Sequence, residues 1–454
     1  MAFHCYRHYL VIMKIKHIFM TALLFSIALS AVSTQETAPQ VLTVDEAVRI
    51  ALDNNLSLRR TAIDLGTRKR TADRSWNSVL PSLNAQALVS HPASVTGPIQ
   101  PAPSMGPAGI TYIDRDVWTP GFSLSAGITL STAVIENINR AQADYEAGLL
   151  SYEAARQELE LQVRKLFYQI LLLDANCELV AQNFQSAQIR YEQTVTRSRT
   201  GQAPLLDELS ARVDMENIRP TMINAGILYE NALDSFKMIL GIPAETAIIP
   251  EGDLAIAGNI STPATETGES LDASRLLQSI RAMEAQRNSI RNSAYVPNLR
   301  LSWTSMPMYN IQNKQWSDNG SFSISLGLSL DSYLPWSNAK TQIDTLNDNI
   351  RTAEIQLTEI IRNRENRINQ NVRTIERIME SLEAMKLNVE LAQNTYTMIE
   401  DSYRRGAADY QRLQGATDSL AQTKNRLLQE QYNLISALLD LEKELNIPFG
   451  TFSK

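Results

Sequence analysis

The sequence repeats itself, with the same landmarks in the same order in both halves of the chain. Residues 122–130 read FSLSAGITL and residues 322–330 read FSISLGLSL. Three further pairs are Pro81-Ser82-Leu83 with Pro297-Asn298-Leu299, Arg199-Thr200-Gly201 with Arg404-Arg405-Gly406, and Gly241-Ile242-Pro243 with Asn446-Ile447-Pro448. Such a duplication constrains the fold strongly, because both copies must form the same structural unit. The 454-residue chain is therefore predicted to contain two copies of one unit, not three unrelated domains.

Long apolar seams with alternating steps of four and three residues follow each strand block. The first seam comprises Leu159, Val163, Leu166, Ile170, Leu173, Cys177, Val180, Phe184, Ala187 and Tyr191. The second comprises Ile343, Leu346, Ile350, Ala353, Leu357 and Ile360, then Val372, Ile375, Met379 and Leu382, then Val389, Ala392, Tyr396, Ile399 and Tyr403, with Arg364 as an interruption. This spacing indicates helices that need partner helices. A helix from Ile138 to Thr200 would be about 95 Å long at about 1.5 Å per residue, too long for a compact domain.

The repeated strand blocks alternate between apolar and small polar residues. In 122–130 and 322–330 the apolar residues are separated by Ser, Thr or Gly, and weaker alternation surrounds Leu83 and Leu299. Strands of about ten residues with one apolar and one polar face suit an outer-membrane barrel, with lipid outside and water inside. A soluble sheet with its apolar face packed on helices is the alternative reading of the strands alone.

The predicted lengths suggest how the helices pair. Shorter helices are expected at Leu56–Ser78 and Leu205–Leu240 in the first copy, and at Leu271–Ala294 and Tyr410–Leu445 in the second. In each copy the two short helices together nearly equal the long one, so they are expected to stack end to end beside it, meeting at a waist. Pro220 is expected to kink its helix.

These features predict the following organisation. The first repeat is 34–241, with a β-hairpin at about 79–131 and a helical hairpin at about 137–240. Residues 242–270, rich in Pro, Gly and Thr, form a linker at the waist. The second repeat is 271–454, with a β-hairpin at about 296–332 and a helical hairpin at about 337–445.

The N-terminal 33 residues resemble a secretory signal peptide. Lys14 and Lys16 precede an apolar run from Ile18 to Leu29, which is followed by small residues. Met13 is the favoured start, and this segment indicates export across the inner membrane.

The residue inventory argues against catalysis. After removal of the leader, one cysteine (Cys177) and one histidine (His91) remain, which leaves little for a nucleophilic or metal site. No phosphate-binding loop or dinucleotide fingerprint occurs, and the net charge of −7 gives no basic surface for nucleic acid. We predict no catalytic residue, no metal and no cofactor.

Over essentially the whole mature chain, this pattern resembles the TolC family of outer-membrane efflux proteins. The residues that carry the resemblance are the two strand blocks, the opening LTVDEAVRIA at 42–51, and the turns RTGQAPLLDEL at 199–209 and YRRGAADYQRL at 403–413. The resemblance implies a mainly α fold with membrane β: a homotrimeric, 12-stranded outer-membrane β-barrel continuous with a 12-helix periplasmic coiled-coil tunnel. Each chain would supply four strands and its long helices.

The resemblance also implies where partners bind. The periplasmic tips, where an adaptor of the membrane-fusion type docks, correspond to Arg199, Thr200, Gly201, Gln202, Arg404, Arg405, Gly406 and Ala407. Asp207 and Tyr403 match positions of the family's aperture network. The family's arginine and two aspartates in the second tip correspond to Ala408, Arg412 and Gly415, so this chain lacks those charge pairs.

The expected function is a passive exit duct in the outer membrane, part of an efflux or type I secretion system. An inner-membrane transporter of the ABC, RND or MFS type would supply the energy, and three copies of Asp207 would disfavour anions. The alternative is a periplasmic or surface coiled-coil protein, structural or adaptor-like, without channel activity.

Overall fold

The structure is a computed structural model that describes residues 40–90, 118–254, 270–310, 314–318 and 320–452. Its helices are α1 (Val44–Asn54), α2 (Leu56–Asp73), α3 (Thr132–Arg199), α4 (Leu205–Leu240), α5 (Leu271–Tyr295), α6 (Asn338–Arg404) and α7 (Tyr410–Leu445). Its strands are β1 (Gln40–Leu42), β2 (Ser82–Ser90), β3 (Thr119–Leu130), β4 (Ile248–Pro250), β5 (Asn298–Ser305), β6 (Pro307–Asn310), β7 (Gln315–Asp318) and β8 (Ser321–Gly327). Three features discussed above lie outside the described residues: the proposed leader at 1–33, its favoured start at Met13, and the single remaining histidine, His91.

Two very long helices dominate the fold. Helix α3 has 68 residues and α6 has 67, which gives each a length of about 100 Å. Helix α3 begins six residues before the predicted Ile138, because the Ser131 hydroxyl accepts a hydrogen bond from the Ala133 amide and caps it. Both seams predicted from the sequence are buried or half-buried along their whole length. Helix α4 is continuous through Pro220.

The main sheet is antiparallel, with β2, β3, β5 and β8 side by side in that order. Each repeat contributes one hairpin, β2–β3 or β5–β8. A small hairpin, β6–β7, is inserted between β5 and β8, and β6 pairs with β3 at Gly121. This extra hairpin is not predicted by the repeated strand pattern.

The short helices of the first repeat stack end to end beside α3, as their lengths predicted. The Asn55 side chain makes the junction. Its Oδ1 accepts hydrogen bonds from the amides of Ser57 and Leu58, while its Nδ2 donates to the carbonyl of Ile239 at 2.9 Å. One side chain therefore satisfies the start of α2 and the end of α4, both of which would otherwise leave backbone groups unpaired.

In the second repeat, Arg364 explains the interruption of the apolar seam. Its Nε donates to the carbonyl of Glu444 in the last turn of α7, at 2.8 Å. One turn further along α6, Arg367 binds the Glu444 carboxylate with nitrogen–oxygen distances of 2.7 and 3.1 Å. A cation at a helix C-terminus is favourable because the last carbonyls carry partial negative charge. The apolar seam of α6 is thus interrupted at the point where the C-terminal end of α7 binds it.

The largest buried cluster lies at the middle of α3. Phe167 and Phe236 are almost completely buried, with ring centroids 6.1 Å apart. Helix α1 and the two-stranded parallel sheet β1–β4 pack into the same cluster, so the described part of the predicted linker contains a strand. The waist thus contains the largest cluster of buried apolar side chains among the described residues.

Candidate functional sites: the sheet and the helical tips

The main sheet has an apolar face that no helix covers in the described part of the chain. Because the strands are in register, Leu83, Ala126, Trp303 and Phe322 form a row across all four strands. Leu83 is 80% exposed and Phe322 67%. A soluble sheet would pack this face against helices, so the uncovered face contradicts that alternative and is typical of a surface that meets lipid.

The opposite face carries small polar residues in the neighbouring register. Ser82, Gly127, Ser302 and Ser323 lie in one row, and the hydroxyls of Ser302 and Ser323 are 2.7 Å apart. Small hydroxyl residues leave room for water along this face. The two faces therefore have the chemistry that separates lipid from an aqueous lumen.

The outer edges of this sheet are unpaired within the described residues. Strand β2 pairs only with β3, and β8 only with β5. Backbone groups at such an edge need partners, most of all in lipid, where water is absent. The sheet is therefore incomplete as a membrane structure in a single chain.

At the opposite end of the long helices, two turns close the helical hairpins. We call residues 200–204 the first tip and residues 405–409 the second tip. In the first, Gly201 and Gln202 donate to the carbonyls of Ser198 and Arg197 at 3.0 and 2.8 Å. In the second, Gly406 and Ala407 donate to Tyr403 and Ser402 at 3.0 and 2.9 Å. Both ends are Schellman motifs, in which the residue after the helix takes a left-handed conformation.

The tip glycines are needed for their backbone conformation and not for lack of space. Gly201 has φ +71° and Gly406 φ +78°, while an added Cβ would meet nothing within 4 Å at either position. The residues predicted to dock an adaptor lie around these glycines and are all exposed: Arg199, Thr200, Gly201, Gln202, Arg404, Arg405, Gly406 and Ala407. Arg404 forms an ion pair with Glu400 at 2.7 Å.

The structure separates the two predicted aperture residues by environment. Tyr403 is buried between the hairpins, with its hydroxyl 3.4 Å from that of Thr194 and the Arg197 guanidinium 5.1 Å from its ring centroid. Asp207 lies half-buried in the first turn of α4. Among the described residues, no hydrogen bond joins its carboxylate to Tyr403.

A polar cluster that the sequence patterns do not predict lies between the hairpins. Asp214 on α4 accepts a hydrogen bond from Gln414 on α7 at 2.8 Å, and its second oxygen, Oδ2, is buried without a partner in the described residues. Arg190, Tyr410 and Asp418 line the same cavity of about 280 Å³. Polar residues next to the apolar seams were the available signal: buried Thr194 continues the 4–3 spacing three residues after Tyr191.

This cluster shifts the pKa of its members. Partial desolvation and the nearby Asp214 charge raise the pKa of Asp418, while Arg190 opposes the shift. Burial and Asp214 together raise the pKa of Tyr410 well above its ordinary value, so its hydroxyl keeps its proton. The arrangement can link the two hairpins through hydrogen bonds and charge.

The described residues provide little for catalysis. They hold no group of three or more His, Cys, Asp or Glu side chains that could bind a metal ion. Cys177 is half-buried, and burial together with Asp174 raises its pKa, which disfavours the reactive thiolate. Nor does any helix in the described ranges combine the length and apolar character needed to cross a bilayer.

Comparison with known proteins gives a family match for the first half of the chain. Residues 47–241 match the model of the outer membrane efflux protein family. A search among curated proteins returned no match.

Solved structures match nearly the whole chain. It is similar to CusC, whose structures describe transmembrane channel formation, with TM-score 0.73 and 15% identity over 92% of this chain and 96% of CusC. It is similar to the outer membrane protein VceC of Vibrio cholerae, with TM-score 0.73 and 16% identity over 89% and 96%. It is also similar to the CmeC outer membrane channel of Campylobacter jejuni, with TM-score 0.74 and 14% identity over 88% of this chain and 85% of CmeC. The fold predicted from the sequence is confirmed.

Proposed function

We propose that three copies of this chain, whose residues 47–241 match the outer membrane efflux protein family, form an outer-membrane channel whose helices continue into the periplasm. The channel is a passive exit duct in an efflux or type I secretion system. The observation that carries this proposal is the sheet, which is apolar and uncovered on one face, polar on the other and unpaired at both edges. Pairing β8 of one copy with β2 of the next would close a barrel and satisfy both outer edges of the four-stranded sheet.

Apolar stripes on the edge helices support the same assembly. At the tip end, α3 packs between α4 and α7, and α7 packs on α6, so α4 and α6 lie at the two edges. Leu206, Leu209 and Val213 are each more than half exposed on α4 and have coiled-coil spacing. Leu387, Leu391 and Met398 form a matching exposed stripe on α6. A second copy of the chain is the occupant that covers both stripes and extends the sheet at once.

We further propose that the two tips are the docking surface for a periplasmic adaptor of the membrane-fusion type. Three exposed arginines, Arg199, Arg404 and Arg405, lie beside the two Schellman turns and are available to an adaptor. Energy for export would come from an inner-membrane transporter of the ABC, RND or MFS type that acts through the adaptor.

Asp207 is proposed to form an acidic ring near the tip end of the helices, with one carboxylate from each copy. Its position in the first turn of α4, close to the first tip, supports this role. Tyr403 is proposed to hold the two hairpins together through Thr194 and Arg197. In single-channel recordings, Asp207→Asn should weaken cation preference and block by divalent ions, whereas Asp234→Asn, on the same helix far from the tip, should change neither. Unchanged ion selectivity in Asp207→Asn would contradict the proposed acidic ring.

The assembly itself is tested by fractionation and cross-linking of the full chain. We expect a trimer in the outer-membrane fraction, and we expect Leu209→Arg together with Leu391→Arg to abolish it by placing charges in the helix seams. Arg212→Leu, at an exposed site beside the stripe, is the control. A wild-type chain that stays monomeric in the periplasmic extract would instead indicate a coiled-coil protein without channel activity.

A further inference from the structure

We propose that a cavity at the junction of the sheet with α5 and α6 binds the phosphate headgroup of an anionic phospholipid from the periplasmic leaflet of the outer membrane. The cavity has a volume of about 590 Å³. Its lining combines three cations, Arg287, Arg291 and Lys340, with the aromatic rings of Tyr295 and Tyr333. The proposal rests on the proposed function, because it needs the sheet to lie in a bilayer.

The cations have the charge and geometry for a phosphate. Arg287 and Arg291 lie one turn apart on α5, and Lys340 lies in the first turn of α6. Among the described residues none of the three is ion-paired, and no carboxylate lines the cavity. Arg287 has only long hydrogen bonds, 3.3 to 3.4 Å, to the side chains of Asn288 and Asn347. Guanidinium groups bind phosphate oxygens in a bidentate manner, and an ammonium adds a point charge.

The cavity lies where a bilayer surface is expected. Tyr295 ends α5 three residues before β5 begins, and the loop after β8 forms the opposite wall. The Tyr333 hydroxyl donates to the carbonyl of Tyr295 at 3.2 Å, and the two rings meet edge to face at 5.3 Å. Leu330 and Trp336 flank this wall and are 72% and 78% exposed. Amphipathic aromatic side chains of this kind anchor proteins at the interface between lipid and water.

The duplication provides an internal comparison. The helices before the strands align with an offset of 216, given by Pro81 and Pro297, and the caps Ser131 and Ser337 align the long helices. By these offsets the residues equivalent to Arg287, Arg291, Tyr295 and Lys340 are Thr71, Ser75, Val79 and Val134. Val79 and Val134 line a cavity of about 390 Å³ at the first junction, with Leu130, Ile135 and Leu299. That cavity has no cation. Cationic lining is thus specific to the second repeat and is not required by the shared fold.

The test measures lipid bound to the purified trimer. After exchange into detergent, the wild-type protein is titrated with phosphatidylglycerol or phosphatidylcholine, and retained lipid is counted by native mass spectrometry. The variant R287Q/R291Q/K340Q is compared with R351Q/R362Q/R373Q, which removes the same charge from exposed sites on α6. We expect the first variant to lose affinity for phosphatidylglycerol by at least about tenfold and the second to retain it.

Two outcomes would overturn the proposal. Equal binding of both lipids by the wild type would exclude a headgroup site, and competition by millimolar inorganic phosphate would assign the cavity to a soluble anion. Planar-bilayer conductance of the same samples separates this failure from failure of the channel. A protein that conducts ions but does not select the anionic lipid contradicts only the lipid site, whereas a trimer without conductance contradicts the proposed function.

Discussion

The two repeats finish their returning helices with the same backbone motif but different side chains. Gly241 and Asn446 both adopt the left-handed conformation, with φ of 70° and 55°. At equivalent positions one turn earlier, Lys237 donates to the carbonyl of Ala244, whereas buried Glu442 accepts hydrogen bonds from the amides of Gly450 and Phe452. The duplication therefore preserved the geometry of the waist, while each copy acquired its own way to hold the segment that follows.

The largest loss of stability is expected when Gly241 is replaced. An added Cβ on Gly241 would lie 2.7 Å from the backbone oxygen of Asn54, and a left-handed Ala is itself unfavourable. Gly241→Ala should cost about 2–5 kcal/mol, from overpacking plus backbone strain. Gly406→Ala, where space is open, should cost only about 1–2 kcal/mol. Thermal unfolding midpoints of the two variants would compare them, and equal losses would contradict the assigned clash.

Replacement of Glu442 tests how the second repeat holds its C-terminal segment. Its side chain is fully buried, so Glu442→Ala leaves two backbone amides without an acceptor and should cost about 2–4 kcal/mol. The equivalent change in the first repeat, Lys237→Ala, should cost only about 1 kcal/mol, because it removes one exposed hydrogen bond and a long ion pair to Asp234 at 3.6 Å. Limited proteolysis at the C-terminal segment 446–452 would report the release. Protection in Glu442→Ala equal to that of wild type would show that the carboxylate does not hold this segment.

A smaller difference in stability is expected between replacements of the residues that cap α2 and α5. Asn55→Ala removes the cap of α2 and the bond to Ile239, and should cost about 1–2 kcal/mol. Ser270→Ala removes only the cap of α5 and should cost about 0.5–1 kcal/mol. Hydrogen exchange in the first turns of α2 and α5 measures both, and faster exchange in the α4 end is expected only for Asn55→Ala.

The smallest predicted effect is the pH dependence of the polar cluster that contains Asp418 and Asp214. Because the pKa of Asp418 is raised in the folded state, the folded protein binds its proton more tightly, so this group's contribution to stability decreases as pH rises through the raised pKa. Acidification from neutral pH to about pH 4, the ordinary pKa of an aspartate, should tighten the contact between the hairpins by well under 1 kcal/mol, since Asp418 is exposed and screened. Asp418→Asn should flatten this slope, and Asp401→Asn should not. A steeper slope in Asp418→Asn would reverse the assignment.

The sequence determined much of this fold because the patterns involved are local. Helices α4 and α7 begin and end at the predicted residues, since Pro204, Gly241 and Asn446 mark their limits. Helix α1 was missed as an element although Thr43 and Glu46 form a capping box visible in the sequence. The pairing of Asp214 with Gln414, 200 residues apart, could not be predicted, because contacts between helices depend on their rotation and stagger.

Single-channel recording in a planar bilayer shows directly whether the trimer conducts ions. Purified trimers should insert and give discrete, long-lived conductance steps, which Leu209→Arg with Leu391→Arg eliminates along with the trimer. A verified wild-type trimer that produces no channel at any applied voltage would contradict the account and favour a structural role for the coiled coil.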